Sequence, residues 1–438
     1  MSTTDERLRV EYVTDPAAAM SRLAAEERFG EYVVYERGGE WVFAADPIGA
    51  VELDSDELRI HWAGETTAKP WTGSPAEVMD EVLSGLPMTG RNAYGWVGFE
   101  FCAYSLGAVE YLRPATPLVR LIVPRVEVRI DTAGKVWVTG AAAAEATFLL
   151  DTVVRSRDLP LPQPFPVDIR TDDTGYRERV AQAVDEIGAG RYRKVILSRK
   201  VELPFAVDIP ATYRLGRANN TPARSFLLGL GGLQAAGFSP ELVLSVSDDR
   251  TVTTEPLAGT RAFGLGAEID SAARTDLVND PKEIVEHAMS VQTCFAEITE
   301  IAEPGTTSVS DFMAVRERGS VQHLASTVRG RLAAGRSAWD ALDALFPSVT
   351  ASGVPKRPGV DSIFRSDPPR GLYSGAVLMV SPTGALEAAL VLRAVYQNDA
   401  GAWLRAGAGV VAQSRPEREF EETCEKLNSV APYVVRAR

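Results

Sequence analysis

Five glutamates lie within ten residues near the end of the chain, in the segment EREFEETCEK at 417–426. If this segment is helical, Glu419, Glu422 and Lys426 share one face, because they are three and seven positions apart, and the apolar residues fall on another. The first face then aims two carboxylates and an ammonium group in one direction. Such a face is found on ordinary solvated helices, and it is also what half of a cation site requires.

An earlier segment, KEIVEHAMSV, repeats the spacing with Glu283 and Glu286. Asp280 is placed as the N-cap of this second helix and Pro281 as its first residue. Like charges three positions apart cost a few tenths of a kcal/mol when exposed, and far more if two such helices converge away from water. A divalent cation would remove that cost, and Mg²⁺ suits carboxylates that leave room for water and a substrate oxygen. The alternative is that each pair is a solvated helix start, where acidic residues are favoured.

Two other residues could perform acid–base chemistry. The segment RYRKVILSRKVEL is predicted to be a strand, with Lys194 at its beginning. In an apolar site the pKa of a lysine can fall below its ordinary value of about 10.4, as general-base catalysis requires, although a lysine at a strand edge is usually solvated. Glu241 follows Pro240 in GFSPELVLSV, where it either opens a strand or is a buried acid with a raised pKa.

The glycine-rich segment RAGAGVVA, at 405–412, precedes the acidic helix. Its G-x-G-x-x-A spacing is that of a dinucleotide fingerprint, but too little chain follows for a second strand of a βαβ unit. We therefore expect a turn in which the backbone around Gly407, Ala408 and Gly409 approaches a carboxylate ligand. PLAGTRA, at 256–262, is predicted to be a second small-residue turn.

Composition and charge limit the class of protein. The chain has 438 residues, with 45% hydrophobic and 24% charged residues, as in ordinary folded proteins. A net charge of -13 without a Lys/Arg cluster argues against nucleic acid as a partner. The polar N-terminus and the lack of an apolar run of about 18 residues predict neither export nor membrane insertion. Three widely spaced cysteines indicate a reducing, cytoplasmic location, and only three histidines, without metal-binding spacing, argue against zinc.

The pattern of strands and helices predicts the fold class. Residues 30–64 and 118–139 alternate apolar and polar positions around turn residues, which is typical of antiparallel hairpins. Four prolines within 159–168 are the best candidate boundary between a strand-rich part, 1–168, and a catalytic part, 169–438, which we expect to form one integrated domain. Later strands joined by PTG and NDAG turns are also antiparallel. The class is α+β, with large antiparallel β-sheets packed together and helices on the outside.

Ten segments together resemble the chorismate-utilising enzymes, the family of anthranilate, aminodeoxychorismate, isochorismate and salicylate synthases. They occur in the family's order and cover about residues 170–438 strongly and the N-terminal part more loosely. The segments are RYRKVILSR, GFSPELV, TEPLAGTRA, KEIVEHAMSV, RERGSVQHLAST, FPSVTASGVPK, PRGLYSGAV, LVLRAVYQ, WLRAGAG and PEREFEETCEK. The likeness is greatest to the members that make salicylate for siderophore assembly, and it implies the chorismate-utilising fold.

The resemblance implies a reaction. Water activated by Lys194 attacks C2 of chorismate while Glu241 protonates the departing C4 hydroxyl, which gives isochorismate. Elimination of pyruvate, with hydrogen transfer from C2 to the enolpyruvyl group, then leaves salicylate. The resemblance also implies Mg²⁺ between the acidic helices, with Glu286 and Glu422 as the nearest ligands and Glu283 and Glu419 acting directly or through water.

The resemblance implies the substrate contacts as well. Arg393 would clamp a carboxylate with two hydrogen bonds. The implied substrate-binding residues are Gly259, Thr260, His323, Thr350, Tyr373, Arg393, Gly407, Ala408, Gly409 and Lys426. His323 could otherwise be a core histidine.

Two positions distinguish this chain from other members of the family. Ammonia-using relatives lack a lysine at the position of Lys194, and aminodeoxychorismate synthases have a nucleophilic lysine where Ala258 stands. The resemblance therefore implies no glutamine amidotransferase partner, and we expect a monomer. Three alternatives stay open: an isochorismate synthase that releases its product, an anthranilate synthase-like component, and a catalytically silent protein that binds carboxylates or metal.

Overall fold

The computed structural model describes residues 12–88, 90–156, 160–318 and 321–438, without the side chains of Ala258 and Arg318. Three features named above therefore lie partly outside the described residues: most of the polar N-terminus, Leu159 at the start of the proline-rich segment, and Gly319 and Ser320 within RERGSVQHLAST. The comparison of Ala258 with a lysine likewise concerns a side chain that the structure does not describe.

The described residues form the following helices and strands, in chain order. The helices are α1 (Pro16–Ala24), α2 (Pro75–Gly85), α3 (Ala103–Leu106), α4 (Ala143–Arg155), α5 (Tyr176–Gly188), α6 (Ile209–Ala218), α7 (Ala267–Asn279), α8 (Pro281–Ile301), α9 (Ala338–Leu345), α10 (Lys356–Ser366) and α11 (Pro416–Leu427). The strands are β1 (Tyr32–Arg37), β2 (Glu40–Asp54), β3 (Glu57–Trp62), β4 (Glu65–Pro70), β5 (Ala93–Val97), β6 (Pro117–Ile130), β7 (Val136–Thr139), β8 (Lys194–Leu203), β9 (Arg224–Leu230), β10 (Leu233–Ser239), β11 (Leu242–Val246), β12 (Thr251–Thr254), β13 (Leu257–Ala262), β14 (Ser308–Arg318), β15 (Val321–Arg331), β16 (Gly353–Val354), β17 (Ala376–Val380), β18 (Leu386–Leu390), β19 (Ala394–Asn398) and β20 (Gly401–Val410). In this part of the chain, no helix is long and apolar enough to cross a membrane.

The strands form one continuous antiparallel ladder. Its order is β16-β8-β20-β19-β10-β9-β1-β2-β6-β5-β17-β18-β11-β12-β15, with β13 and β14 paired to β15, and every pairing between the described strands is antiparallel. The predicted hairpin at Gly38 and Gly39 joins β1 to β2, and both glycines have positive φ. Strand β1 also pairs with β9, Tyr32 opposite Gly229, so strands from both sides of residue 168 share the sheet. The domain boundary itself stays a prediction.

Three apolar clusters show how the layers pack. One cluster lies between faces of the sheet and consists of residues from strands and from the turn before β17. Its members include Val33, Tyr94, Phe226, Val377 and Tyr396. The other two pack helices against the outer faces of the sheet: α1, α4 and α6 on one side, and α2, α5, α8 and α9 on the other. This arrangement confirms the predicted α+β class, with antiparallel sheet packed on sheet and helices outside.

Two predicted turns are wrong. Gly407, Ala408 and Gly409 lie inside β20, and PLAGTRA forms β13. The reason is close packing rather than chain reversal, because a methyl group on Gly407 would lie 2.6 Å from the carbonyl oxygen of Leu197 on the neighbouring strand. Glycine at this position allows β8 and β20 to approach each other.

Candidate active site

Lys194 lies at the start of β8 and only 3% of its surface is exposed. Its Nζ donates to Glu286 Oε1 at 2.6 Å, across the gap between β8 and α8. The alkyl chain passes over β20, where a methyl group on Gly409 would lie 3.1 Å from Lys194 Cε. Gly409 therefore leaves room for the Lys194 side chain. From the sequence, the backbone of this glycine was expected to approach an anion instead.

Glu241 lies directly before β11 and is 3% exposed. Its Oε1 accepts hydrogen bonds from Ser348 Oγ at 2.7 Å and Thr350 Oγ1 at 2.9 Å, and Oε2 lies 2.9 Å from Thr350 Oγ1. Burial raises the pKa of Glu241 to about 8, against the smaller opposing effect of the two hydroxyls. A carboxyl group with its pKa raised in this way is suited to hold a proton near neutral pH and to act as a general acid.

Thr260, His323 and Arg393 form a connected group. Arg393 Nη2 lies 3.2 Å from His323 Nε2, and His323 Nδ1 lies 2.9 Å from Thr260 Oγ1 and 3.3 Å from the carbonyl oxygen of Gly259. Because a guanidinium can only donate, Nε2 accepts and the ring proton is on Nδ1. Arg393 also has a φ of 53°, which is uncommon for a residue other than glycine and is often found at functional sites.

Tyr373 and Lys426 meet at Gly407. A methyl group on Gly407 would lie 2.8 Å from Tyr373 Oη, and Lys426 Nζ donates to the Gly407 carbonyl oxygen at 2.9 Å. Ala408 points to the opposite face of β20, because side chains alternate along a strand, so only its backbone can face this group. Three of the predicted substrate residues, Tyr373, Gly407 and Lys426, are therefore adjacent.

The four predicted metal ligands differ in their surroundings. Burial would raise the pKa of Glu286, but the Lys194 ammonium outweighs it and the pKa is lowered. Glu422 behaves in the same way with Lys426, whose Nζ is 2.9 Å from Glu422 Oε1. Burial raises the pKa of Glu283, although Arg261 Nη1 lies 3.1 Å from Glu283 Oε1. Burial also raises the pKa of Glu419.

The donor set fits a hard cation, although the side chains are not gathered around one point. Within the described residues, no group of three or more histidine, cysteine or acidic side chains is arranged to hold a metal ion. Glu286 and Glu422 nevertheless lie close enough to repel each other, and Glu419 Oε2 is buried with no hydrogen-bond partner among the described residues. A buried orphan carboxylate oxygen beside mutually repelling carboxylates is a suitable environment for an oxygen-binding divalent cation.

A network of buried charged side chains connects the elements that carry the site. The Asp367 side chain is 1% exposed and accepts hydrogen bonds from Arg370, Arg179 and Ser198. Arg405, also buried, donates to Ser198 and lies with its guanidinium 5.2 Å from the Tyr373 ring centre. Burial opposes the charge of Asp367, but the surrounding guanidinium groups lower its pKa. The network fixes β8, β20 and the turn that carries Tyr373.

Several of these residues were not found from the sequence. Ser348 stands two positions before Thr350, so a pair of hydroxyls in one turn was the available signal. Arg261, which also binds Asp276 and Asp280, had no recognisable spacing. Asp367 and Arg370 are three residues apart, but the other partners of Asp367, Arg179 and Ser198, are far away in the chain.

A separate cavity of about 630 Å³ lies at the tips of hairpins elsewhere on the sheet. It is lined by residues 30–31, 203–206, 229–234 and 397–402. None of the predicted site residues lines it. The acid–base groups and the cavity are therefore different places in the molecule.

Comparison with known proteins gives a consistent family. Residues 30–432 match the family model described as chorismate binding enzyme. The chain is 54% identical over 435 residues to a salicylate synthase of Mycolicibacterium paratuberculosis, covering 96% of this chain and 94% of that protein. It is 32% identical to an anthranilate synthase component 1 of Halobacterium salinarum, covering 90% of this chain and 82% of that protein.

Solved structures show the same fold. The crystal structure of anthranilate synthase component I from Streptococcus pneumoniae has a TM-score of 0.74 at 26% identity, and covers 91% of this chain and 92% of its own. The menaquinone-specific isochorismate synthase of Escherichia coli has a TM-score of 0.73 at 21% identity, with coverages of 98% and 94%. The fold, the matched length and the sequence relatives agree: the chain belongs to the chorismate binding enzyme family.

Proposed function

We propose that this protein converts chorismate to salicylate and pyruvate through isochorismate. The observation that carries the proposal is the combination of a buried lysine amine, Lys194, with a buried carboxyl, Glu241, that is largely protonated at neutral pH. Replacing one ring hydroxyl by another needs a base for the incoming water and an acid for the departing hydroxyl. These two side chains supply both functions.

The first step uses the two groups in concert. Lys194, acting as a neutral amine, takes a proton from the attacking water, and the water oxygen bonds to C2 of the ring. Glu241 gives its proton to the C4 hydroxyl, which leaves as water as the C4–O bond breaks. Burial of Glu241 keeps this proton in place until the substrate arrives.

The second step needs less from the protein. The ether bond to the enolpyruvyl group breaks and hydrogen moves from C2 to that group, so that pyruvate departs and the ring becomes aromatic. The protein holds the enolpyruvyl group of the substrate over the ring in a reactive conformation. We expect Tyr373, Arg393 and Lys426 to bind the substrate's carboxylates for this purpose.

We infer that Mg²⁺ is the cofactor and that Glu286 and Glu422 hold it, with Glu283 and Glu419 acting directly or through water. When bound, the ion would neutralise these carboxylates and bind the ring carboxylate of the substrate. The orphan Glu419 Oε2 and the repulsion between Glu286 and Glu422 support this assignment. Gly259 lies beside this group, since a methyl group there would be 3.1 Å from Glu283 Oε2.

The choice of product rests on the sequence relatives. The salicylate synthase of Mycolicibacterium paratuberculosis is 54% identical over nearly the full length, whereas the anthranilate synthase component of Halobacterium salinarum is 32% identical. An isochorismate synthase that releases its product is the second candidate, because the same acid–base pair serves it and its fold is the same.

We further propose that the enzyme works in the cytoplasm as a monomer without an amidotransferase subunit. Lys194 supports water rather than ammonia as the nucleophile. All three cysteines are free in the structure, as expected of a protein from a reducing compartment. Size measurement in solution, with and without chorismate, would test the monomer.

Incubation of the purified protein with chorismate and Mg²⁺ tests the reaction. Salicylate fluorescence and pyruvate should rise together in a one-to-one ratio, and chelation of the metal should stop both. Accumulation of isochorismate without pyruvate would replace this proposal by the second candidate. Formation of anthranilate in the presence of ammonium salts would refute the assignment of Lys194.

A further inference from the structure

The side chains of Glu241, Ser348 and Thr350 lie within hydrogen-bond distance of one another. Ser348 Oγ is 2.7 Å from Glu241 Oε1 and 2.8 Å from Thr350 Oγ1, and Thr350 Oγ1 is 2.9 Å from both carboxyl oxygens. Ser348 is 7% exposed and Glu241 is 3% exposed. The arrangement is therefore buried and is determined by protein groups.

The number of protons shared by these oxygens differs between the two protonation states of Glu241. Each hydroxyl has one proton to donate, whereas a protonated carboxyl adds a third. With that third proton a closed ring of hydrogen bonds forms through Glu241, Thr350 and Ser348, and it closes with the proton on either carboxyl oxygen. When Glu241 is ionised, two hydroxyl protons remain for the same contacts, and the ring is incomplete.

We propose that Ser348 is a positioning residue that, through its hydrogen bond to Oε1, holds the carboxyl group of Glu241 in the orientation from which it gives its proton to the substrate. Ser348 acts through Glu241 and has no contact with the substrate in this scheme. The inference rests on the proposed function and deepens it. It assigns a role to a residue that neither the family resemblance nor the spacing of motifs had identified.

The two steps of the reaction depend on this proton differently. In the first, a C2–O bond forms, the C4–O bond breaks, the water proton goes to Lys194, and the Glu241 proton leaves with the C4 hydroxyl as water. In the second, hydrogen moves within the substrate from C2 to the enolpyruvyl group, and Glu241 gives up no proton. Loss of Ser348 should therefore slow the first step and spare the second.

The test compares two substrates with one variant. For Ser348→Ala we expect turnover of chorismate to fall about tenfold, the effect of one misplaced hydrogen bond, with its KM changed less than about twofold. Conversion of added isochorismate to salicylate should stay within about twofold of the wild-type rate. Ser348→Thr, which restores a hydroxyl, should recover most of the lost chorismate turnover.

Ser352 provides the matched control, because it is a buried serine in the same turn whose Oγ donates to the Ser348 carbonyl oxygen at 2.9 Å. Ser352→Ala should keep both rates. The inference is overturned if Ser348→Ala slows both substrates equally, leaves chorismate turnover unchanged, or is matched by Ser352→Ala. A wild-type protein without activity on either substrate would instead refute the proposed function itself.

Discussion

Glu241 and Glu286 are the same residue type in the same site, and their proton affinities are shifted in opposite directions. Glu241 is surrounded by the hydroxyls of Ser348 and Thr350, and burial raises its pKa to about 8. Burial acts on Glu286 too, but the Lys194 ammonium lies 2.6 Å away and lowers its pKa. One carboxyl is kept neutral and the other ionised.

The difference shows that the charge of the partner, rather than the number of hydrogen bonds, decides the outcome. The hydroxyls offset only part of the desolvation of Glu241, whereas the Lys194 ammonium offsets more than all of the desolvation of Glu286. Glu283 is intermediate, because burial keeps its pKa raised even beside the Arg261 guanidinium. Glu419 resembles Glu241, because its buried Oε2 has no partner among the described residues and burial raises its pKa. The site thus separates an acid from a set of anionic ligands without using different residue types.

Removing the Lys194 ammonium from this comparison should have the largest effect on chorismate turnover. Lys194→Gln deletes the base and leaves Glu286 without its ammonium partner, so we expect chorismate turnover to fall by about 10²–10⁴. Salicylate fluorescence measures the loss. Lys200→Gln is the control, since Lys200 is on the same strand but pairs with the exposed Glu202 at the surface.

The assignment of Lys194 as the base requires that Lys194→Gln and Lys200→Gln differ in chorismate turnover. Equal activity in Lys194→Gln and Lys200→Gln would remove Lys194 from the reaction. A folded Lys194→Gln protein that still forms isochorismate at the wild-type rate would do the same. Circular dichroism of both variants checks that folding is kept.

The protonation of Glu241, the neutral carboxyl in this comparison, can be observed directly by infrared spectroscopy. The protonated carboxyl of Glu241 should give an infrared carbonyl band that disappears as the pH rises through about 8, because its folded-state pKa is raised by burial. Glu241→Gln should lack the band and lose chorismate turnover by about 10²–10³. A band that is already absent at pH 6 would show that Glu241 is ionised and that burial does not control it.

Much of this site could be predicted because helices and strands impose local spacing. Glu283 and Glu286 on α8, and Glu419, Glu422 and Lys426 on α11, were found from intervals of three and seven. Asp280 is the N-cap of α8 as predicted, and its carboxylate accepts from the Lys282 backbone N–H at 2.9 Å. The family resemblance then gave roles to Lys194 and Glu241 that spacing alone left open.

The rest depended on contacts between distant parts of the chain. Gly407 and Gly409 were expected in a turn, whereas their purpose is to admit a neighbouring strand and the Lys194 side chain. A one-dimensional pattern does not show which strand or side chain will pack against a glycine.

Gly409 offers a smaller perturbation of the base. A methyl group there would lie 3.1 Å from Lys194 Cε, which is tighter than ordinary contact, so Gly409→Ala should displace the amine by a few tenths of an ångström. The lysine is flexible enough to yield, and the fold should be kept. We expect chorismate turnover to fall about tenfold, because catalytic groups tolerate little displacement. An unchanged rate would show that the position of Nζ is not critical.

The smallest effect is expected at Glu421, which is next to Glu422 on α11 but faces solvent and pairs with the exposed Arg170. Glu421→Gln should leave kcat, KM and the Mg²⁺ dependence within about twofold of wild type, because exposed ion pairs are screened by water. Glu422→Gln should instead raise the Mg²⁺ concentration needed for half-maximal rate by at least about tenfold. The two variants make the same chemical change one residue apart, so a similar response from both would mean that bulk acidity, and not the inward-facing carboxylates, attracts the cation.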